Sequence, residues 1–328
     1  MRRWNDKICP VELIELDKQA HKMVIAYLLG KLEQEYGQSE DFNWQDVIHG
    51  GIFEFLHRLV LTDLKPQIFY KIMEDKKRYQ RLNRWVYQQL EPIIIDSAIS
   101  NDFARSFRNY FSDTGENINK RILQAAHFYA TKWEFDIIER ANPDGYEIER
   151  IRRDLESRQE KYYDLKGIQQ LALYSSLRDF VDLCGQLRFQ SRWSHITHRV
   201  PKTSVLGHTF IVALLSYLFS LEVNACERRC YNNFFTGLFH DLPEVLTRDI
   251  ISPIRKSVKG LHSLIRRYEK EQMEQEVLDL IPRMFHEEIK LFTGILPRNL
   301  DEFSNVVTIG GKIVKKKAED MEKFNRDE

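Results

Sequence analysis

The spacing of apolar residues constrains this chain most. In HTFIVALLSYLFSLEVNA, which starts at His208, the residues Phe210, Ala213, Leu214, Tyr217 and Leu218 recur at three- and four-residue steps. That period puts them on one face of a helix and fits no strand. The stretch IRRDLESRQEKYYDLKGIQQLALYSSLRDFVDLCGQL mixes charge and apolar residues at the same steps, and strand-like alternation is hard to find. Glycine and proline, which would break helices, number only 14 and 9 in 328 residues. The pattern predicts an all-α protein of many ordinary helices joined by short turns.

A chain of this length can bury a large core and divide into two domains. Pro143, Asp144 and Gly145 form a turn signal followed by a highly charged stretch. The predicted organisation is a helical domain over 1–145, a solvated helical connector over 146–184 and a second domain over 185–328. Hydrophobic residues make up 43% and charged residues 30%, a globular profile. Lys+Arg and Asp+Glu are both 49. This balance argues against a polymeric nucleic-acid partner, which selects for a basic surface, but leaves room for a small basic pocket. The N-terminus lacks the apolar region of a signal peptide, and no run reaches the roughly 18 apolar residues of a membrane span. No membrane is expected, and a reducing cytoplasm is. Of the four cysteines, Cys226 and Cys230 stand one helical turn apart with no second pair to complete a metal clip, so ordinary thiols are expected.

The segment FTGLFHDLPEVLTRDI breaks the apolar pattern in an informative way. His240 and Asp241 are neighbours, so on a helix their side chains diverge by about 100°. Glu244 follows one turn later on the face they share, whether the helix runs on or is interrupted near Pro243. Unpaired charge among Phe234, Phe235, Leu238, Phe239, Leu242 and Val245 is costly to bury. A divalent cation offsets that cost, since imidazole and carboxylate suit first-row metals. One helix cannot complete such a site. His208, at the start of the apolar helix, and Asp320, in the C-terminal IVKKKAEDMEKF, are the candidate further ligands. There is no G-x-S-x-G elbow, phosphate loop or H-E-x-x-H to compete with this set.

The order His208, His240-Asp241, Asp320 resembles the H…HD…D order of the HD-domain metal-dependent phosphohydrolases. Arg192-Trp193, SVLGHTFIVALL and HDLPEVLTRDIISPIRK are similar to the bacterial HD-domain 5'-deoxynucleotidases, over about residues 185 to 324. The resemblance implies an HD helical bundle that removes phosphate from nucleoside 5'-monophosphates, the deoxyribonucleotides above all. It implies one divalent metal (Mn, Co, Mg, Zn, Fe or Ni) on His208, His240, Asp241 and Asp320. Glu244 would act as general acid or base beside the metal-activated water, making Glu244 and Asp241 the catalytic pair. Arg192 would face the substrate phosphate, Trp193 would pack on the sugar and disfavour a 2'-hydroxyl, Asp249 would accept from the 3'-hydroxyl, and Lys256 would add positive charge. Alternatives are a regulatory HD protein that binds nucleotide without turnover, or an HD phosphodiesterase or nucleoside triphosphate hydrolase.

GGIFEFLHRLVLTDLK, from Gly50, echoes the HD segment. With Asp63 set on Asp249, Phe53 falls on Phe239, Leu56 on Leu242 and Leu59 on Val245. Glu54 then falls on His240, Phe55 on Asp241 and Arg58 on Glu244. His21 precedes Glu54 at nearly the spacing that separates His208 from His240, and His127 lies near the place of Asp320. The echo points to a tandem duplication whose first copy has lost its metal residues. The resemblance further implies a homodimer, or an intrachain pseudo-dimer in which the first copy stands in for a second protomer.

Overall fold

The computed structural model describes residues 1–37, 41–62, 64–96, 101–112, 115, 117–192, 202–250, 252–295, 306–309 and 312–315. The first half contains α1 (Glu15–Tyr36), α2 (Trp44–Leu61), α3 (Pro66–Glu74), α4 (Lys76–Asp96), α5 (Asn101–Ser112) and α6 (Ile118–Ala141). Then come α7 (Ile148–Gln159), α8 (Lys166–Leu173) and α9 (Ser175–Gln186). The second half adds α10 (Val205–Glu222), α11 (Glu227–Phe239), α12 (Glu244–Thr247), α13 (Ser252–Ser257), α14 (Leu261–Gln272) and α15 (His286–Phe292). The all-α class expected from the spacing is the class observed. The exception is a short antiparallel hairpin, β1 (Val306–Ile309) with β2 (Lys312–Lys315), registered Val306 opposite Lys315.

Side-chain caps start the helices that matter most. Asn43 accepts from the backbone N–H groups of Gln45 and Asp46 at the head of α2, and Asn117 does so from Lys120 at α6. At α10 the Ser204 hydroxyl accepts from Gly207 N at 2.8 Å and donates to Asp17 Oδ1 at 2.6 Å. That single hydroxyl satisfies an orphan helix donor and ties α10 to α1.

One core runs through both halves. Tyr27 of α1 packs its ring 4.9 Å from Phe235 and 5.0 Å from Phe239 of α11. Its hydroxyl donates to Glu288 Oε2 at 2.8 Å. Phe55 of α2 meets Phe210 of α10 edge-on at 5.1 Å. A smaller cluster, with Leu13, Phe128, Phe135, Ile138, Ile148 and Leu155, lies under α7. The stretch expected as a solvated connector is therefore more embedded than its charge suggests. The outer face of α7 carries ion pairs such as Arg153 with Glu149 at 3.0 Å, while Ile148 and Leu155 are buried. Helices α8 and α9 pack against α1, where Gly167 N donates to Glu33 Oε1 at 2.8 Å.

Helix α10 passes a test that the sequence reading said no stretch would meet. Its 18 residues have a mean hydropathy of 1.6, enough in length and composition to cross a bilayer. It lies along α11 and against α1, and carries His208 into a polar site, as a core helix does. Its contact with α11 is unusually close. A Cβ added at Gly237 would stand 2.6 Å from Ala213 Cα and 2.7 Å from Ala213 N. Only glycine lets the two backbones approach so far.

Candidate metal centre

Helix α11 ends at Phe239, and the chain turns through His240 and Pro243 into the single turn of α12. The interruption read near Pro243 is thus real, and it lets His240, Asp241 and Glu244 face one site. Phe239 and Leu242, each 1% exposed, pin the turn to the core. The other side of the site is built from the chain entering α10. Arg192 N donates to Thr203 O at 2.9 Å and Val205 N to Gln190 O at 2.9 Å. This short antiparallel bridge holds Arg192 beside the first turn of α10, where His208 stands.

One ligand atom from each of His208, His240 and Asp241 lies within 4.8 Å of the others. Asp241 Oδ2 is the shared vertex, 3.2 Å from His240 Nε2 and 3.8 Å from His208 Nε2. Gly237 O accepts a hydrogen bond from His240 Nδ1 at 2.8 Å. That bond orients the ring and aims Nε2 at the site, the arrangement seen behind metal-ligating histidines. Arg192 Nη1 donates to the same Asp241 Oδ2 at 2.8 Å.

The electrostatics are strongly perturbed. Burial works against the protonated form of His240, but its hydrogen bond to Asp241 and the charge of that carboxylate outweigh burial and hold its pKa above the usual value. Burial would raise Asp241, yet His240, Arg192 and His208 keep it below the usual carboxylate range. Glu244 is pushed up to about 9, first by burial and then by the charges of Asp241 and Asp249, against the pull of Arg192 and Arg255. Its Oε2 is buried without a hydrogen-bond partner among the described residues. A carboxyl in that state is a proton carrier at neutral pH. Two imidazoles and a carboxylate suit a divalent first-row cation, and the half-buried position leaves the site open to a ligand.

The structure brings together His208, His240, Asp241, Glu244 and Arg192, and it sets Asp249 near enough for its charge to act on Glu244. Trp193 and Asp320 lie outside the described residues, as does the side chain of Lys256. The segment before Asp320 starts differently from the helix expected of it: Lys312–Lys315 form β2. Sequence reasoning missed three supports. Gln190 Nε2 donates to Glu244 O at 3.1 Å. Arg255 acts on Glu244 and is held by Glu269 Oε1 at 3.1 Å. Gly237 both spaces the helices and accepts from His240. Of these, only Arg255, the neighbour of Lys256, had a signal in the sequence.

Residues 184–325 match the family model described as HD domain. No curated protein and no solved structure matches the chain. The match supports an HD-domain protein, and the His-His-Asp group lies inside the matched segment. HD domains are typically metal-dependent phosphohydrolases.

Proposed function

We propose that the second half of this chain removes phosphate from nucleoside 5'-monophosphates, deoxyribonucleotides in particular. The observation that carries the reading is the convergence of His208, His240 and Asp241 with Arg192 and the unpartnered Glu244 around one opening. His208 Nε2, His240 Nε2 and Asp241 Oδ2 would hold a divalent cation, with Asp320 as the fourth ligand. When bound, the cation polarises the phosphoryl oxygens and lowers the pKa of water. Arg192 offers a planar fork to a phosphate, and its charge is already neutralised locally by Asp241. Glu244, protonated near neutrality where its environment stays as described, holds a proton at Oε2 that it can deliver or recover. Phe239 and Leu242 close the inner wall against water. Trp193 and Asp249 would select the sugar, and the setting we propose is cytoplasmic.

The first half reads as a degenerate copy of the same domain. In the alignment that sets Glu54 on His240, Gly51 falls on Gly237, and both approach a facing helix: a Cβ at Gly51 would stand 2.4 Å from Met23 Sδ. Thr62 falls on Arg248, and both are non-glycine residues at positive φ, 48° and 63°. Each closes its helix with the same bond, Thr62 N to Arg58 O and Arg248 N to Glu244 O. The halves also differ. Helix α10 lies along α11, whereas α1 lies along α6 and touches α2 over less of its length. His21 points away, to Val181 O at 2.9 Å. A pseudo-dimer within one chain is the arrangement this favours.

The test is phosphate release from matched ribo- and deoxyribonucleoside 5'-monophosphates, a phosphodiester and a triphosphate, with Mn, Co, Mg or Zn or with chelator. Asp241→Asn should abolish metal dependence. Glu244→Gln should lower kcat by about 10²- to 10⁴-fold. Hydrolysis confined to the diester or the triphosphate overturns the substrate assignment. Tight nucleotide binding with no turnover under any metal overturns the enzymatic one.

A further inference from the structure

Helices α1, α2 and α6 bury a polar cluster that the proposed reaction does not use. Lys18 and Lys22 stand one turn apart on α1, with side chains 1% and 0% exposed. Lys22 Nζ donates to Glu54 Oε2 at 2.6 Å, and Tyr110 OH donates to Glu54 Oε1 at 2.7 Å. Arg3 bridges Glu15 at 2.7 Å and Glu134 at 2.8 Å, and Arg188 takes the other oxygen of Glu134 at 3.0 Å. Each buried carboxylate therefore has its own cation. Lys18 has no carboxylate within ion-pairing distance among the described residues. Its ammonium instead lies 2.9 Å from Nδ1 and 2.8 Å from Nε2 of His127.

That contact cannot satisfy it. A neutral imidazole has one acceptor nitrogen and one N–H, so one of the two approaches sets donor against donor. Protonation of the ring would make matters worse. Burial already disfavours it, and Lys18, Lys22, Arg3 and Arg58 each add to the effect. An ammonium so buried without counter-charge is expensive to keep. The cluster is not sealed: the side chains of Arg58 and Glu54 are each 25% exposed, and His127 is half-buried. It is a cation-rich recess with a mouth.

We propose that this recess binds a phosphate-bearing anion, with the charge met by Lys18 inside and by His127 and Arg58 at the mouth. An ammonium, an imidazole N–H and a guanidinium fork around one opening match a tetrahedral dianion better than a planar or monatomic one. No turnover is expected there. Phe55 occupies the place that Asp241 holds in the second half, and Lys22 already claims Glu54, so the recess offers no cation-binding group. The inference rests on the geometry of α1, α2 and α6 and stands whether or not the HD site is a nucleotidase.

The experiment is calorimetric titration of the chelator-treated full-length protein with inorganic phosphate, a deoxyribonucleoside 5'-monophosphate and the parent nucleoside. Arg192→Gln weakens the HD site and leaves the recess as the phosphate site. In that background Lys18→Met should weaken phosphate binding about 10- to 100-fold, the effect of losing a hydrogen bond to a charged partner. Arg58→Gln, at a partly exposed position, should do the same in direction and covers the case where Lys18→Met folds poorly by circular dichroism. Equal affinity for phosphate and nucleotide identifies free phosphate as the ligand; tighter nucleotide binding identifies a phosphomonoester. The proposal is overturned if Arg192→Gln binds no phosphate, if the nucleoside binds as well as the nucleotide, or if a folded Lys18→Met and Arg58→Gln both bind phosphate as the Arg192→Gln parent does.

Discussion

Replacing Gly237 by alanine probes the contact that aligns the metal centre. The new Cβ would start 2.6 Å from Ala213 Cα, 2.7 Å from Ala213 N and 3.0 Å from Val212 C. Carbon atoms rest at about 3.5–4.0 Å, so α10 and α11 must part locally by about 1 Å. Overpacking of this kind costs about 1–3 kcal/mol. The obstruction is backbone, so trimming Ala213 to glycine should not rescue it. Gly237 sits one turn before His240 and Ala213 between one and two turns after His208, so the displacement falls between the two imidazoles. Metal sites tolerate about 0.2 Å in ligand distance. Metal affinity should therefore fall by at least the 10- to 100-fold seen when ligand-orienting groups are lost. In a thermal unfolding assay, metal at about 100 times the wild-type Kd stabilises that protein by about 2.7 kcal/mol. A variant bound about 100-fold more weakly gains only about 0.4 kcal/mol under the same conditions. A Gly237→Ala protein with an unchanged melting temperature and the full metal-induced rise would refute the account of α10 and α11 as a spacing device.

Three other substitutions separate the roles assigned above. Arg192→Gln removes the donor at 2.8 Å from Asp241; it should raise KM for the nucleotide about tenfold or more while leaving metal affinity equal or tighter, read from separate kinetic and metal titrations. Asp17 is raised to about 6, chiefly by burial, from a model value of 3.8. Its folded state binds the proton more tightly, so its stabilising contribution is complete below the unfolded pKa and is lost as pH rises to about 6. Asp17→Asn should thus gain up to about 3 kcal/mol over the wild type at pH 7.5 and little near pH 4, by denaturant unfolding at both; an advantage that does not grow with pH would contradict this. Glu134→Gln strips the counter-charge from Arg188, both side chains being 0% exposed, and should cost about 3–5 kcal/mol in denaturant unfolding.

Much of this was legible in the sequence because helices write their packing at short range. Phe210, Ala213 and Tyr217 announced the buried face of α10, and all three are fully buried. His240, Asp241 and Glu244 announced a site because neighbours on one turn must converge whatever the rest of the fold does. The supports were not legible. Gln190 and Arg255 reach Glu244 through contacts between separate elements, and no local period reveals such pairings. The hairpin at residues 306–315 escaped notice because two four-residue strands offer too little alternation to stand out from a helical background. Similarly, the echo placed Glu54 and His127 near one another. The lysine facing His127 proved to be Lys18, while His21 turned to the backbone of Val181.

The sequence alone determined the helical class, because apolar period and the scarcity of breakers act within a few residues of each position. It also determined the chemistry available at residues 240 to 244, because the residue types are covalently given. Only the tertiary structure decided what that chemistry faces. His208 joins Asp241 because Gly237 lets two helix backbones nearly touch. Glu244 is raised because burial and neighbouring carboxylates act on it across space. Lys18 was one charge among many in the sequence, and it became a buried ammonium without a counter-ion only when α1, α2 and α6 closed around it.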